Sequence, residues 1–156
     1  MSHEAKYMIT KQLAALINNE TNMIANLSNA SALIWEHFPD INWAGFYLWD
    51  QKDKELVLGP FQGKVACIRI GNGAGVCGTA FKNERSLIVD DVNLFSGHIA
   101  CDANSQSEIV IPLIKDGKKI GVLDIDAPIK NRFTKEDQLI LEEFVSVLLR
   151  QIQTPA

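Results

Sequence analysis

The chain has 156 residues, 47% of them hydrophobic and 22% charged, the balance of a globular protein long enough to bury a core. Its formal charge of −4 is spread without any basic run or stripe, so nucleic acid is not an expected partner. No window approaches the roughly 20 apolar residues of a membrane-spanning helix, and MSHEAKYMIT lacks the basic and apolar regions of a signal peptide. No membrane partner is therefore expected, and the expected location is cytoplasmic.

One α+β domain over 1–156 is expected, with N-terminal helices over about 4–38, a sheet with its loops over about 41–127 and a C-terminal helix over about 134–152. Helical spacing runs through Leu13, Leu16 and Ile17, then through Met23, Ile24, Leu27, Leu33 and Ile34, and predicts helices over 4–19 and 21–38. INWAGFYLWD alternates, and after the polar turn QKDKE the run LVLGPF completes a hairpin. Short strands are predicted at VACIRI (65–70) and SLIVDD (86–91), with GVCGTAFKNE (75–84) as a short helix between them. Residues 91–107 carry no periodicity, which in a compact domain marks a functional loop. IVIPLIKDGKKIGVLDID then forms two apolar strands across Asp116-Gly117. The last helix opens on Thr134, with Asp137 placed to complete a capping box. Hairpin connections make the sheet mostly antiparallel, with the helices packed on it.

Three cysteines, Cys67, Cys77 and Cys101, form no C-x-x-C pair, which excludes a thioredoxin-like motif and the usual zinc knuckle. In a reducing compartment they are free thiols, ligands or redox catalysts. Cys67 sits in a strand pattern that would bury it as an inert small hydrophobe. Cys77 falls near the start of a short helix, whose dipole favours a thiolate. Cys101 lies on the polar 91–107 loop beside Asp102, with Glu108 nearby, and acids raise a thiol pKa. A nucleophile among acids makes sense where the substrate must be protonated as it is attacked.

Asp124 and Asp126 are two apart on a strand and share one face, where like charges in a desolvated pocket hold a proton on at least one carboxyl. Whether Glu108 joins them depends on the turn. A two-residue loop at Asp116-Gly117 pairs Lys115 with Lys118 and puts Glu108 opposite Ile125, on the other face. A three-residue loop pairs Ile114 with Lys118 and puts Glu108 opposite Asp124. IVIPLI is apolar throughout, so periodicity cannot choose; the three-residue form is the working expectation. Trp43, Gly45 and Tyr47 share a strand face, and the glycine would leave a slot between two rings for a methyl or sulfur group. His98 and Cys101 form H-x-x-C without a second pair of ligands, and GNGAGVCG resembles a phosphate loop only in glycine content. Neither supports a site, and no metal is expected.

Taken together, LGPFQGKVACIRI, GVCGTA, DVNLFSGHIACDANSQSEIVIPL, IGVLDID and RFTKEDQ resemble the free methionine-(R)-sulfoxide reductases, which are built on a GAF domain. The similarity runs from about Ile41 to about Leu141. The resemblance implies a GAF-like fold, no cofactor, free methionine (R)-sulfoxide as substrate and thioredoxin as reductant. It implies that Cys101 is the attacking thiol, Cys67 the main resolving thiol and Cys77 an auxiliary one, although the helix-dipole argument gives Cys77 the better setting for a thiolate. Glu108, Asp124 and Asp126 correspond to the acids of the substrate pocket, where they suit the ammonium of a free amino acid. Trp43 and Tyr47 would flank its S-methyl group. A competing reading is a non-catalytic GAF sensor for a small molecule or redox state, and a third is zinc held by the cysteines and His98. The oligomeric state, a homodimer among the options, stays open.

Overall fold

The computed structural model describes residues 3–98, 101 and 103–153. Among these the chain forms α1 (His3–Leu16), α2 (Met23–His37), β1 (Trp43–Asp50), β2 (Glu55–Gly63), β3 (Arg69–Gly71), α3 (Gly75–Asn83), β4 (Leu87–Val89), β5 (Ser107–Lys115), β6 (Lys118–Ala127) and α4 (Lys135–Leu149). The strands make one antiparallel sheet in the order β3-β2-β1-β6-β5-β4, the α+β arrangement expected from the hairpins.

Local chemistry sets the helix ends. α1 stops three residues before its predicted end, ahead of Asn18-Asn19, where Asn19 adopts a positive φ of 63°. Asn22 caps α2 by accepting from the Ala25 N–H at 2.9 Å. Thr134 and Asp137 complete the reciprocal capping box of α4: the Thr134 N–H donates to Asp137 at 2.9 Å and the Asp137 N–H donates to Thr134 at 3.1 Å. Such caps satisfy N–H groups that have no partner inside the helix.

Both faces of the sheet are covered, which is why β5 is apolar at almost every position. One face packs α1, α2 and α4 over Phe46, Ile109, Ile111, Leu123 and Ile125, with Leu13, Ile34 and Phe144 from the helices. The opposite face packs α3, through Val76, Ala80 and Phe81, against Trp43, Tyr47, Val110 and Val122. By strand alternation Glu108, Asp124 and Asp126 belong to this second face. Two of them, Glu108 and Asp124, are buried there.

Two predicted strands are shorter than expected. Ladder pairing in this stretch is confined to Arg69–Gly71 against Glu55–Val57, preceded by the Leu58 N–H donating to Ile68 O at 2.9 Å, and residues 64–67 lie outside the sheet. The strand predicted over 86–91 is Leu87–Val89; Asp91 instead caps a 3₁₀ turn over Val92–Leu94, accepting from the Asn93 N–H at 3.0 Å. The base of the following loop is tied to the sheet by Val92 N–H to Gln106 O and Gln106 N–H to Ala127 O.

The β5–β6 hairpin corrects the expected register. Asp116 and Gly117 both adopt positive φ, 52° and 77°, the geometry of a two-residue type I′ turn, and Lys115 pairs with Lys118. The three-residue loop is not formed. The ladder then shifts, since Ile114 pairs with Lys119 but Leu113 pairs with Gly121, which leaves Ile120 as an extra residue on β6. Beyond this bulge Glu108 pairs with Asp126 and Val110 with Asp124. Glu108 thus shares a face with the aspartates by a route the turn alone does not give.

Candidate active site

Cys67 and Cys101, 34 residues apart in sequence, are joined by a disulfide with Cα atoms 5.5 Å apart. Cys77 is the buried free thiol. Cys67 is therefore no inert core residue: it lies outside β3, half-buried, between the exposed side chains of Val65 and Ile68. Asp102, the acid expected beside Cys101, lies outside the described residues.

Two aromatic residues of β1 hold the segment that carries Cys67. The Trp43 indole N–H donates to Lys64 O at 3.1 Å, and the Tyr47 hydroxyl donates to Cys67 O at 2.8 Å. Their buried rings have apolar bodies and polar tips, so they contribute to the core and anchor a loop together. The predicted slot between them is not present. The rings stack with centroids 5.8 Å apart, and Trp43 also stacks on Phe61 at 5.1 Å. A side chain at Gly45 would run into Phe61, so the space left by the glycine is already filled from β2.

A cavity with about 50 Å³ of free space is lined by Cys101 of the disulfide, by Val65 and Ala66, and by Glu108, Asp124 and Asp126. Trp43, Tyr47, Cys77, His98 and Ser105 also line it. Ser105 is not legible as a site residue, since a loop serine has no spacing to mark it, and His98 is singled out in the sequence only as a zinc ligand. Ser105 Oγ accepts from Asn42 Nδ2 at 3.1 Å, joining the loop to the start of β1.

Cys77 reaches the acids from α3. Gly75, with φ 61°, turns the chain into the helix, and Cys77 Sγ lies 3.8 Å from Glu108 Oε2, oriented as a weak S–H donor to it. Burial, followed by the charges of Asp124 and Glu108, pushes the Cys77 thiol well up. The dipole of a nine-residue helix is outweighed, and the expectation of a favoured thiolate at Cys77 is corrected.

Glu108 is pushed up to about 8, chiefly by burial and then by the charge of Asp126. Burial and Glu108 also raise Asp124 well above the ordinary carboxylate range. At neutral pH Glu108 is therefore a protonated carboxyl, able to donate a proton. Burial, then Asp124, raises the Tyr47 phenol, which keeps it a neutral donor; burial lowers His98 and favours the neutral imidazole. Among the described residues the lining includes no lysine or arginine.

The GAF domain model matches residues 26–149. The free methionine-R-sulfoxide reductase of Escherichia coli (strain K12) is 51% identical over 146 residues, covering 94% of this chain and 87% of that protein. The structure of fRMsr of Staphylococcus aureus in complex with substrate superposes with a TM-score of 0.89 at 53% identity, covering 95% of each chain. That of free methionine-R-sulfoxide reductase from Neisseria meningitidis in complex with its substrate gives a TM-score of 0.92 at 42% identity, covering 97% of this chain and 91% of that one. With the GAF fold and its cysteine-and-acid cavity in place, the chain belongs to the free methionine-R-sulfoxide reductase family.

Proposed function

We propose that the protein reduces free methionine (R)-sulfoxide to methionine, with Cys101 as the attacking thiol, Cys67 as its resolving partner and Cys77 in an auxiliary role. The observation that carries this reading is the Cys67–Cys101 disulfide over a cavity lined by Glu108, Asp124 and Asp126. The named substrate of the Neisseria meningitidis and Escherichia coli relatives supplies the chemistry.

In the reduced protein the Cys101 thiolate attacks the sulfoxide sulfur. A buried acid, with Glu108 best placed by its pKa of about 8, protonates the oxygen as it leaves sulfur. The oxygen passes to Cys101 as a sulfenic acid and methionine departs. The Cys67 thiol then attacks the Cys101 sulfur, water leaves, and the disulfide forms. The substrate ammonium meets the carboxylates, a contact that a methionine inside a peptide cannot make. Trp43 and Tyr47 contribute the apolar wall against which the S-methyl group packs. In this scheme the disulfide is opened by the reductant before Cys101 attacks the next substrate.

Thioredoxin, or another dithiol protein of its kind, is the reductant of this scheme. A thiolate of the reductant attacks one sulfur of the disulfide, and its second thiol resolves the mixed disulfide. Val65, 89% exposed, and Ile68, 66% exposed, flank Cys67 and offer such a protein an apolar contact beside the bond it must reach. A reducing compartment such as the cytoplasm provides this partner. The test is turnover of free and peptide-bound methionine sulfoxide, both epimers, with a thioredoxin system. Turnover of the free (R)-epimer alone is expected; binding of sulfoxide without turnover would instead identify a sensor module.

A further inference from the structure

We propose that the disulfide form of the protein is a binding site for a zinc-class divalent metal ion, held by Cys77 Sγ and by carboxylate oxygens of Glu108 and Asp124. The inference rests on geometry and does not depend on the proposed reaction.

These three residues each bring a ligand atom to within 4.8 Å of the other two, and all three are buried. They come from three elements packed on one another: α3 for Cys77, β5 for Glu108 and β6 for Asp124. Zinc bonds of about 2.3 Å to sulfur and about 2.0–2.2 Å to oxygen, at tetrahedral angles, place sulfur and oxygen ligands about 3.6 Å apart. Cys77 Sγ and Glu108 Oε2 are 3.8 Å apart, so the pair spans one edge of such a tetrahedron with almost no adjustment.

A second observation points to a missing partner. Asp124 is only 5% exposed, yet its Oδ1 has no hydrogen-bond partner among the described residues. Leaving a buried carboxyl oxygen unsatisfied is costly, and a cation removes that cost. Among the described residues no lysine or arginine lines the cavity to take the role. The ligand set also has the chemistry of borderline metals: one soft sulfur with two hard oxygens suits zinc or cobalt better than magnesium or calcium, which prefer oxygen alone. The cavity of about 50 Å³ has space for a water beside the ion, which would complete four-coordination.

Such binding would occupy the acids that the substrate ammonium needs and would hold Cys77 as a metal thiolate, out of disulfide exchange. Metal and substrate would therefore exclude each other once the disulfide is reduced.

The disulfide form makes the test clean, because Cys67 and Cys101 are bridged and Cys77 is its one free thiol among three cysteines. Oxidised protein is titrated with Co²⁺ in the absence of reductant, and Zn²⁺ is then added to displace it. One equivalent is expected to bind, with a near-ultraviolet thiolate-to-cobalt charge-transfer band and the strong visible bands of four-coordinate cobalt, all removed by Zn²⁺. Cys77→Ser should abolish the charge-transfer band and weaken Zn²⁺ binding by more than the roughly 10–100-fold that loss of a group merely supporting a ligand costs. Glu108→Gln and Asp124→Asn should keep the band but weaken binding by at least about 10-fold, which preserves the test if Cys77→Ser does not fold. No stoichiometric binding, binding without the charge-transfer band, or an affinity unchanged in all three variants would overturn the proposal.

Discussion

Glu108 stands directly opposite Asp126 across the β5–β6 ladder, with Asp124 opposite Val110 one step further along. The bulge at Ile120 brings this about, and the pairing sets Asp126 as the neighbouring charge that Glu108 feels. Glu108 is buried, and the charge of Asp126 adds to the effect of burial.

The first prediction concerns the pH–rate profile. If Glu108 protonates the departing oxygen, activity falls as pH rises through about 8, where that carboxyl ionises. Asp126→Asn removes a charge that raises Glu108, so the descending limb should move to lower pH. Asp124→Asn should not lower it, because a hydrogen bond from Asp124 pulls Glu108 down rather than up. Profiles of kcat/KM with excess dithiothreitol make the comparison. A limb lowered by Asp124→Asn and unmoved by Asp126→Asn would assign the shared proton to the aspartates, as the sequence pattern alone suggests.

The same carboxyl governs stability. Its folded pKa of about 8 lies above the ordinary value of 4.5, so between these limits the folded state binds more protons than the unfolded one. Stability from this group is full below about pH 4.5 and is lost as pH rises toward 8, by about 5 kcal/mol at most. Glu108→Gln, which cannot ionise, should lose less stability across this window. Denaturant melts at pH 5 and pH 8.5 measure it: the variant should gain on the wild type by several kcal/mol between the two pH values. Parallel pH dependences would show that Glu108 ionises as freely folded as unfolded.

Thiol reactivity separates the three cysteines. Cys77 is buried and its pKa is pushed up, so alkylating reagents should leave it unmodified in the folded oxidised protein and modify it only after denaturation. With dithiothreitol as reductant, Cys77→Ser and Cys67→Ser should each retain turnover, while Cys101→Ser should retain less than about one part in 1,000. Full activity of Cys101→Ser would move the nucleophile to Cys77.

Gly121 is a packing test of the same region. A Cβ there would collide with the backbone of Tyr47, the residue that anchors the Cys67 segment. Gly121→Ala should separate β1 from β6 and cost about 2–4 kcal/mol, with a lower denaturation midpoint and a raised KM. An unchanged midpoint would show that the strands have slack at this crossing.

Parts of this site are legible in the sequence for physical reasons. Asp124 and Asp126 share a face because strand side chains alternate, and the capping box at Thr134 and Asp137 is a local signal. The position of Glu108 is not legible: the type I′ turn at Asp116-Gly117 points to the other face, and the bulge at Ile120 carries no residue signature in an apolar strand. Cys67 reads as core because Val65 and Ile68 are apolar, yet both are exposed. Cys77 reads as activated because a helix start is visible in sequence, whereas burial by the sheet beneath it is not. The Cys67–Cys101 juxtaposition spans 34 residues and depends on two side-chain anchors, Trp43 and Tyr47, whose targets are backbone carbonyls that no pattern reveals.

A single turnover tests the central claim most directly. Fully reduced protein is mixed with one equivalent of free methionine (R)-sulfoxide and no reductant, methionine is quantified, and the disulfides are mapped by mass spectrometry. The account predicts one methionine per chain with Cys67 bridged to Cys101 and Cys77 still a thiol. Methionine formed together with a disulfide that contains Cys77, or no methionine at all, would contradict it.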